Sequence, residues 1–322
     1  MTVRSARLPP KLADGEAHIF IPSPHDDLSL FLRHLPAGRS GPARPVLYVH
    51  GATFASGLSI AHRFDGRSWR DELVAAGFDV WGLDFLGFGL SDRFPEMQAP
   101  AEDHPPLGCA GDASLQIEQA VRFIRAHHGV PRVSIIAHSW GCIAAGGFAA
   151  RRPEFVDRLV LFGPIVRRAG GSVAPTDLPA WRLVTLEEQW RRFVADVPPA
   201  EPPVLLARHF QPWGEAWLDS DPASRGRAPA AVKVPNGPAH DIAEAWTGRL
   251  GFDPGLIRAP TAIVRGEWDS LCTDADAAWL MGALTASPER RDAKIPRATH
   301  LMHLEENRHA LHRAAQVFLG GG

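Results

Sequence analysis

Short apolar runs alternate along much of this chain with longer segments in which apolar residues recur every three or four positions. Continuous apolar runs of about four to eight residues are typical of strands that are covered on both faces of a sheet. The sequence predicts strands at residues 18–22, 28–34, 45–50, 78–84, 133–137, 159–162 and 261–264, with a last strand near residue 295. This alternation favours the α/β class, with a mostly parallel sheet flanked by helices.

Two stripes of apolar residues at helical spacing predict two of the helices. The first stripe comprises Ile117, Ala120, Val121 and Ile124. The second, near the end of the chain, comprises Leu304, Leu311, Ala315 and Phe318. A run of small residues from Gly141 to Ala150 predicts a third helix. Since each glycine costs a helix roughly 1 kcal/mol, we expect close packing against the sheet to require them.

Residues 164–254, between two predicted strands, do not continue this alternation of strand and helix patterns. Connections in α/β proteins usually take about 2–6 residues, so a gap of this size indicates an insertion with its own structure. It holds half of the protein's ten tryptophans, namely Trp181, Trp190, Trp213, Trp217 and Trp246. We expect a mainly helical cap segment, residues 164–254, whose tryptophans form an apolar roof; a packed subdomain without substrate contact is the alternative. Residues 1–163 and 255–322 would then form the core.

Composition narrows the function classes. The 322 residues include 34 Lys and Arg against 36 Asp and Glu, a formal net charge of −2, which lacks the basic footprint of nucleic-acid binding. We expect no membrane span and no signal peptide, and hence a cytoplasmic protein. Cys109, Cys142 and Cys272 form no zinc or redox pattern, so their spacing predicts no metal site and no disulfide framework. A small-molecule substrate is the expected partner, and the oligomeric state stays open.

The most informative motif is Ala137-His138-Ser139-Trp140-Gly141. It lies between a predicted buried strand and the helix of small residues, the context in which G-x-S-x-G forms a sharp elbow that exposes a nucleophilic serine. Ala137 replaces the first glycine of that pattern, which adds only a methyl group. We therefore expect Ser139 to be a nucleophile.

A serine nucleophile needs a base. The chain has fifteen histidines, so the candidate base is selected by its position relative to the predicted strands and helices. His300 follows the last predicted strand and precedes the final helix, which places it in a loop at a strand end. His303, which we expect one turn later on that helix, is the main alternative.

The base in turn needs a carboxylate that holds its tautomer. Asp269 lies at the tip of a loop that follows the buried strand at residues 261–264. Glu267, Asp274 and Asp276 are nearby alternatives that fit surface or helix-capping positions better.

An oxyanion hole would complete such a site. Its donors in this arrangement come from the loop after the third strand and from the amide that follows the nucleophile. We expect the backbone N–H groups of Ala52 and Trp140 to serve, with Thr53 as an alternative to Ala52.

Taken together, the chain resembles the α/β-hydrolase superfamily over nearly its whole length. The matching pieces are His50-Gly51 and residues 83–92 (LDFLGFGLSD), 137–141 (AHSWG), 266–269 (GEWD) and 299–300. The resemblance implies a capped, cofactor-free hydrolase with Ser139 as nucleophile, His300 as base and Asp269 as its partner. Haloalkane dehalogenases and epoxide hydrolases of this superfamily have Asp at the elbow, whereas this chain has Ser.

We therefore expect a serine hydrolase that cleaves a carboxylic ester of a small or medium, apolar or aromatic substrate through an acyl-enzyme. A C–C bond hydrolase, a thioesterase or a proline iminopeptidase-like enzyme would use the same three residues. A ligand-binding receptor that keeps the residues without turnover is the alternative from another class.

Overall fold

The computed structural model describes residues 11–38, 41–169 and 178–321. The strands are β1 (Ala17–Pro22), β2 (Ser29–Leu35), β3 (Pro45–Val49), β4 (Asp79–Asp84), β5 (Val133–His138), β6 (Val156–Phe162), β7 (Trp181–Thr185), β8 (Ala231–Pro235), β9 (Thr261–Gly266) and β10 (Arg290–Ile295). The helices are α1 (Trp69–Ala75), α2 (Ala110–His128), α3 (Gly141–Arg151), α4 (Leu186–Val194), α5 (Ala207–Leu218), α6 (Gly237–Trp246), α7 (Asp274–Ala283) and α8 (Arg308–Leu319).

Eight of these strands form one sheet in the order β1-β2-β4-β3-β5-β6-β9-β10. Strand β2 pairs antiparallel with both β1 and β4, and the remaining pairs are parallel. The predicted α/β class and mostly parallel sheet are confirmed. The sequence did not predict β7 and β8, which pair antiparallel inside the cap segment, where the described residues also form α4, α5 and α6.

The sheet is covered on both faces, and strand β3 shows how. Leu47 and Val49 pack into the core that contains residues of α2 and α3, whereas Val46 and Tyr48 pack into the core that contains residues of α1 and α8. Successive strand side chains point to opposite faces, so a fully apolar strand supplies both cores. This is why the parallel strands appear in the sequence as continuous apolar runs.

The helix of small residues is α3, as predicted. A Cβ atom added at Gly146 would lie 2.3 Å from the ring of Phe252, so glycine is needed for close packing there. The second apolar stripe is only partly helical, because α8 begins at Arg308 and Leu304 lies in the turns before it. Leu304 is buried all the same, since a turn can direct a side chain into the core as well as a helix can.

The cap segment is tied to the loop that follows β3. On α5, the indole N–H of Trp213 donates to the Leu58 carbonyl at 2.8 Å, and that of Trp217 donates to the Thr53 carbonyl at 3.1 Å. Both tryptophans are almost wholly buried. They act as packing anchors, so for these two the packing alternative fits better than a roof over a substrate. In the part of the chain that the structure describes, no helix is both long and apolar enough to cross a membrane.

A buried ion cluster near the start of the described chain supports a stability prediction. Glu16 is fully buried and accepts from Arg33 at 2.7 Å and from Arg70 at 2.8 Å. Burial acts to raise the pKa of Glu16, but the two arginines outweigh it and lower that pKa to about 2. Because two buried cations would lose their counter-charge, Glu16→Gln is expected to lower the free energy of unfolding by about 3–5 kcal/mol.

Urea unfolding at neutral pH measures this change. The matched control is Glu215→Gln, which removes an exposed carboxylate paired with Arg225 and should cost a small fraction as much. Equal effects of the two variants would contradict the assignment of a stabilising role to the buried cluster.

Candidate active site

The serine elbow joins β5 to α3. Ser139 has φ of 56°, in the left-handed region that residues with a side chain rarely adopt. Gly141 permits the close approach that follows, since a Cβ atom there would lie 2.3 Å from the His50 carbonyl oxygen. The elbow therefore presents the Ser139 side chain at the carboxyl end of β5, as the strand–turn–helix context predicts.

Three residues that are far apart in sequence meet at this elbow. The Oγ atom of Ser139 lies 2.7 Å from Nε2 of His300, and Nδ1 of His300 lies 3.0 Å from Oδ1 of Asp269. The same carboxylate oxygen accepts from the backbone N–H groups of Leu271 and Cys272, at 2.9 and 3.0 Å. With its proton on Nδ1, His300 donates to Asp269 and leaves Nε2 free to accept the serine proton.

The other candidate acids are engaged elsewhere. Glu267 accepts from the Arg297 amide, Asp274 pairs with Lys294, and the Asp276 carboxylate closes the first turn of α7. These contacts match the surface and capping positions expected for them. The structure brings Asp269, and none of these three, to His300.

The expected position of His303 on the final helix is wrong. His303 lies in the turns before α8, where its ring stacks on Phe54 at 5.8 Å between centroids and packs edge-on against His138 at 4.5 Å. Among the described residues, neither of its ring nitrogens has a hydrogen-bond partner. Burial, and then the neighbouring His300, hold the pKa of His303 well below its ordinary value. It is a packed, neutral residue in this arrangement.

The loop between β3 and the first helix passes directly beside the elbow. A Cβ atom added at Gly51 would lie 3.2 Å from Cβ of Ser139. Within the described chain, the structure provides no acceptor for the backbone N–H of Ala52 or of Trp140. Thr53 is held from the cap segment, since its carbonyl accepts from Trp217 and its hydroxyl oxygen from Arg192 at 2.6 Å.

Sequence reasoning missed two acids that support the site, the half-buried Asp241 and the fully buried Glu305. Asp241 on α6 accepts from the Trp140 indole at 2.8 Å and from the Ala110 amide at 2.6 Å, and burial raises its pKa. It links the cap segment, the elbow and the start of α2. Glu305 is fully buried and accepts from the backbone N–H of Thr299 at 3.0 Å and from its hydroxyl. It thereby holds the loop that carries His300.

The burial of Glu305 predicts how the free energy of unfolding depends on pH. Burial raises its pKa from 4.5 to about 7, despite the opposing hydrogen bonds from Thr299. The folded state therefore binds more protons than the unfolded state between these two values, and stability should fall as pH rises through that window. Glu305→Gln keeps an acceptor and a donor for Thr299 but cannot ionise. We expect the variant to lose less stability than the wild type between pH 4.5 and 8.

Urea unfolding across that range measures the difference, which should reach a few kcal/mol because each displaced pKa unit corresponds to about 1.4 kcal/mol. Identical pH dependence in the two proteins would contradict the raised pKa.

Two clusters elsewhere bring together residue types that bind metals, namely His34 with Asp79 and His128, and Glu72 with His309 and His312. Among the described residues, Asp79 accepts from the backbone amides of Ala37 and Arg44, whereas His34 stacks on Trp81 and its Nε2 atom has no hydrogen-bond partner. His128 Nε2 accepts from the Trp81 indole, and the Glu72 carboxylate bonds to the Nδ1 atoms of both of its histidines. Neither cluster contacts Ser139.

The chain is similar in sequence to known hydrolases. The family model described as alpha/beta hydrolase fold matches residues 44–307 of the chain. Mouse (lyso)-N-acylphosphatidylethanolamine lipase is 29% identical over 172 residues, covering 53% of this chain and 42% of that protein. The 2-hydroxy-6-oxononadienedioate/2-hydroxy-6-oxononatrienedioate hydrolase of Paraburkholderia xenovorans is 28% identical over 165 residues, covering 51% and 48%. The matches thus span less than half the length of these relatives.

Solved structures share the fold along nearly the whole chain. A bacterial membrane phospholipase A described as a virulence factor superposes with a TM-score of 0.62 at 19% identity, covering 95% of this chain and 86% of that one. A thermophilic esterase from Thermogutta terrifontis gives 0.59 at 18% identity, covering 95% and 98%. The enol-lactonase from Burkholderia xenovorans gives 0.58 at 15% identity, covering 94% and 100%. With the family model matching most of its length, the chain belongs to the alpha/beta hydrolase fold family.

Proposed function

We propose that this protein hydrolyses a carboxylic ester through a covalent acyl-enzyme. The observation that carries the proposal is the continuous chain of contacts from the Asp269 carboxylate through His300 to the Ser139 hydroxyl, at 3.0 and 2.7 Å. Serine is a weak nucleophile until a base takes its proton, and this geometry supplies the base and the group that orients it.

In the first half of the reaction, Ser139 Oγ attacks the ester carbonyl carbon while its proton moves to His300 Nε2. Asp269 stabilises the imidazolium that forms. The N–H groups of Ala52 and Trp140 hold the oxyanion, an interaction that contributes roughly 10²–10³-fold per donor in this chemistry. His300 then donates its proton to the leaving alcohol. Water, activated by the same base, releases the acid from Ser139 in the second half.

The aromatic side chains beside the site suit an apolar part of the substrate. Phe54, from the loop beside the elbow, contacts Phe193 of α4, with ring centroids 5.7 Å apart. We propose a small or medium ester with an apolar or aromatic body, a cap formed by residues 164–254, and no cofactor. A cytoplasmic location belongs to the same proposal.

A second candidate is hydrolysis of a carbon–carbon bond. It is favoured by the similarity to the Paraburkholderia enzyme, whose name states that it acts on a hydroxy-oxo-dienedioate. The same serine, histidine and aspartate would serve a thioesterase or an aminopeptidase. No observation favours the non-catalytic receptor, because the contacts from Asp269 through His300 to Ser139 are intact.

Turnover of simple substrates tests the proposal. The purified protein should hydrolyse p-nitrophenyl acetate and butyrate faster than it cleaves an acyl thioester, a prolyl p-nitroanilide or a 2-hydroxy-6-oxo-dienoate. Heat-inactivated protein and the Ser139→Ala variant provide the background rates. A preference for the dienoate would move the assignment to the second candidate, and no turnover of any substrate would favour the receptor.

A further inference from the structure

One face of α4 carries two polar side chains, Gln189 and Arg192, next to the buried Phe193. Gln189, Arg192 and Phe193 follow a three- and four-residue spacing and therefore share one face of the helix. Gln189 and Phe193 are each only 1% exposed. Arg192 Nη2 donates to the Thr53 hydroxyl oxygen at 2.6 Å. This contact places the guanidinium beside the loop that also carries Ala52.

Arg192 combines two properties that rarely occur together. Its side chain is accessible to solvent, yet burial, and then the nearby Arg182, lower the pKa of its guanidinium to about 10. Surface arginines are accessible and well solvated, whereas core arginines are neither. Arg192 is therefore reached by solvent while its guanidinium is partly desolvated and held beside the loop that follows β3.

Arg182 supplies a second cation in the same region. It lies on β7 and donates to the side-chain oxygen of Asn236. Burial lowers its pKa, and the nearby Glu188 carboxylate offsets part of that shift. In the described ranges of the chain, neither Arg182 nor Arg192 forms an ion pair with a carboxylate. Arg191, the residue before Arg192 on α4, pairs with Glu187. Two neighbouring, partly desolvated cations repel each other, so an anion between them would be bound favourably.

Gln189 supplies an independent observation. Within the part of the chain that the structure describes, neither its Nε2 nor its Oε1 atom has a hydrogen-bond partner. A buried amide without partners costs about 1–3 kcal/mol, so such groups are ordinarily paired with protein, water or a ligand. Gln189 lies one helical turn before Arg192 on the same face, so we infer that its unpartnered amide is available as a donor to a ligand held by the arginine.

We propose that Arg192, Arg182 and Gln189 form an anion subsite that binds a carboxylate group of the substrate. This inference rests on the proposed ester hydrolysis and adds the substrate class, namely acidic esters such as monoesters of dicarboxylic acids. The guanidinium group matches a carboxylate through two parallel N–H donors, a geometry that lysine cannot reproduce. The aromatic cluster around Phe54 would contact the apolar carbons between the carboxylate and the reacting ester.

Paired esters of equal chain length test the subsite. The acidic substrate is the p-nitrophenyl monoester of glutaric acid, and the neutral one is p-nitrophenyl valerate. The wild type should prefer the acidic ester in kcat/KM. Arg192→Met should lower kcat/KM for that ester by about 10- to 100-fold, the value of a charged hydrogen bond, while changing the neutral ester by less than about threefold. Arg192→Lys should restore only part of the loss.

Arg191→Met is the matched control, because it removes an arginine from the outer side of the same helix. It should leave both rates unchanged, and melting temperatures of all variants show whether the cap segment stays folded. Equal losses for both esters in Arg192→Met, or no acidic preference in the wild type, would overturn the subsite and leave Arg192 as a tie between α4 and Thr53.

Calorimetry separates failure of the subsite from failure of the proposed function. Glutarate should bind the wild type more tightly than Arg192→Met, whether or not any ester is cleaved. If glutarate binds in this Arg192-dependent way but no ester is hydrolysed, the subsite stands and the ester function falls. If inorganic phosphate binds in that way and glutarate does not, the assignment to a carboxylate is overturned.

Discussion

Ser139→Ala is expected to lower kcat for a p-nitrophenyl ester by more than about 10³-fold while leaving the fold intact. The variant removes only Oγ, the atom 2.7 Å from His300 Nε2, and keeps the Cβ atom that the backbone at φ of 56° already accommodates. The melting temperature should therefore stay close to that of the wild type. A fluorophosphonate probe should label the wild type at Ser139, and peptide mass spectrometry locates the label.

Ser287→Ala is a suitable control for this experiment. Ser287 is also a buried serine, and its hydroxyl donates to the Ala259 carbonyl at 2.8 Å, away from the elbow. It should lose some stability but retain both activity and labelling. Full activity of Ser139→Ala, or a probe attached at another residue, would refute Ser139 as the nucleophile.

His300→Ala is expected to reduce kcat nearly as far as Ser139→Ala, because a nucleophile without its base is one broken unit. For the same reason, the double variant should be little worse than either single one. His303→Phe should retain substantial turnover. Its ring nitrogens have no partner among the described residues, and it packs against Phe54, so a phenyl ring suits the same position.

Steady-state kinetics at several pH values, with thermal melts, measures this comparison. His303→Phe should keep the pH dependence of the wild type. The reverse result, with His300→Ala active and His303→Phe inactive, would transfer the role of base to His303.

The sequence was sufficient where a motif is local. The elbow depends on a buried strand, a serine and small residues on both sides of it, all within residues 133–150. The loops that carry Asp269 and His300 each follow a predicted strand, and the carboxyl ends of parallel strands meet at one edge of a sheet. For this reason the sequence predicts which three residues come together, although it does not give their distances.

The sequence was less informative where side-chain direction depends on partners that are distant along the chain. The sequence predicts His303 on the final helix, yet the residue lies in the turns before α8. Glu305 and Asp241 look like ordinary acids in the sequence. Only the burial of Glu305, and the bonds of the two acids to Thr299 and Trp140, distinguish them from surface carboxylates.

By itself, the sequence determined the α/β class, the mostly parallel sheet and the position of the serine elbow, because these follow from periodicity and from the backbone requirements of neighbouring residues. Only the tertiary structure decided which cap residues face the elbow. Arg192 and Thr53 are 139 positions apart, and no local pattern indicates that they meet. A charged residue on a helix appears solvated in sequence, and whether it lies outside or in a cavity depends on what the helix packs against.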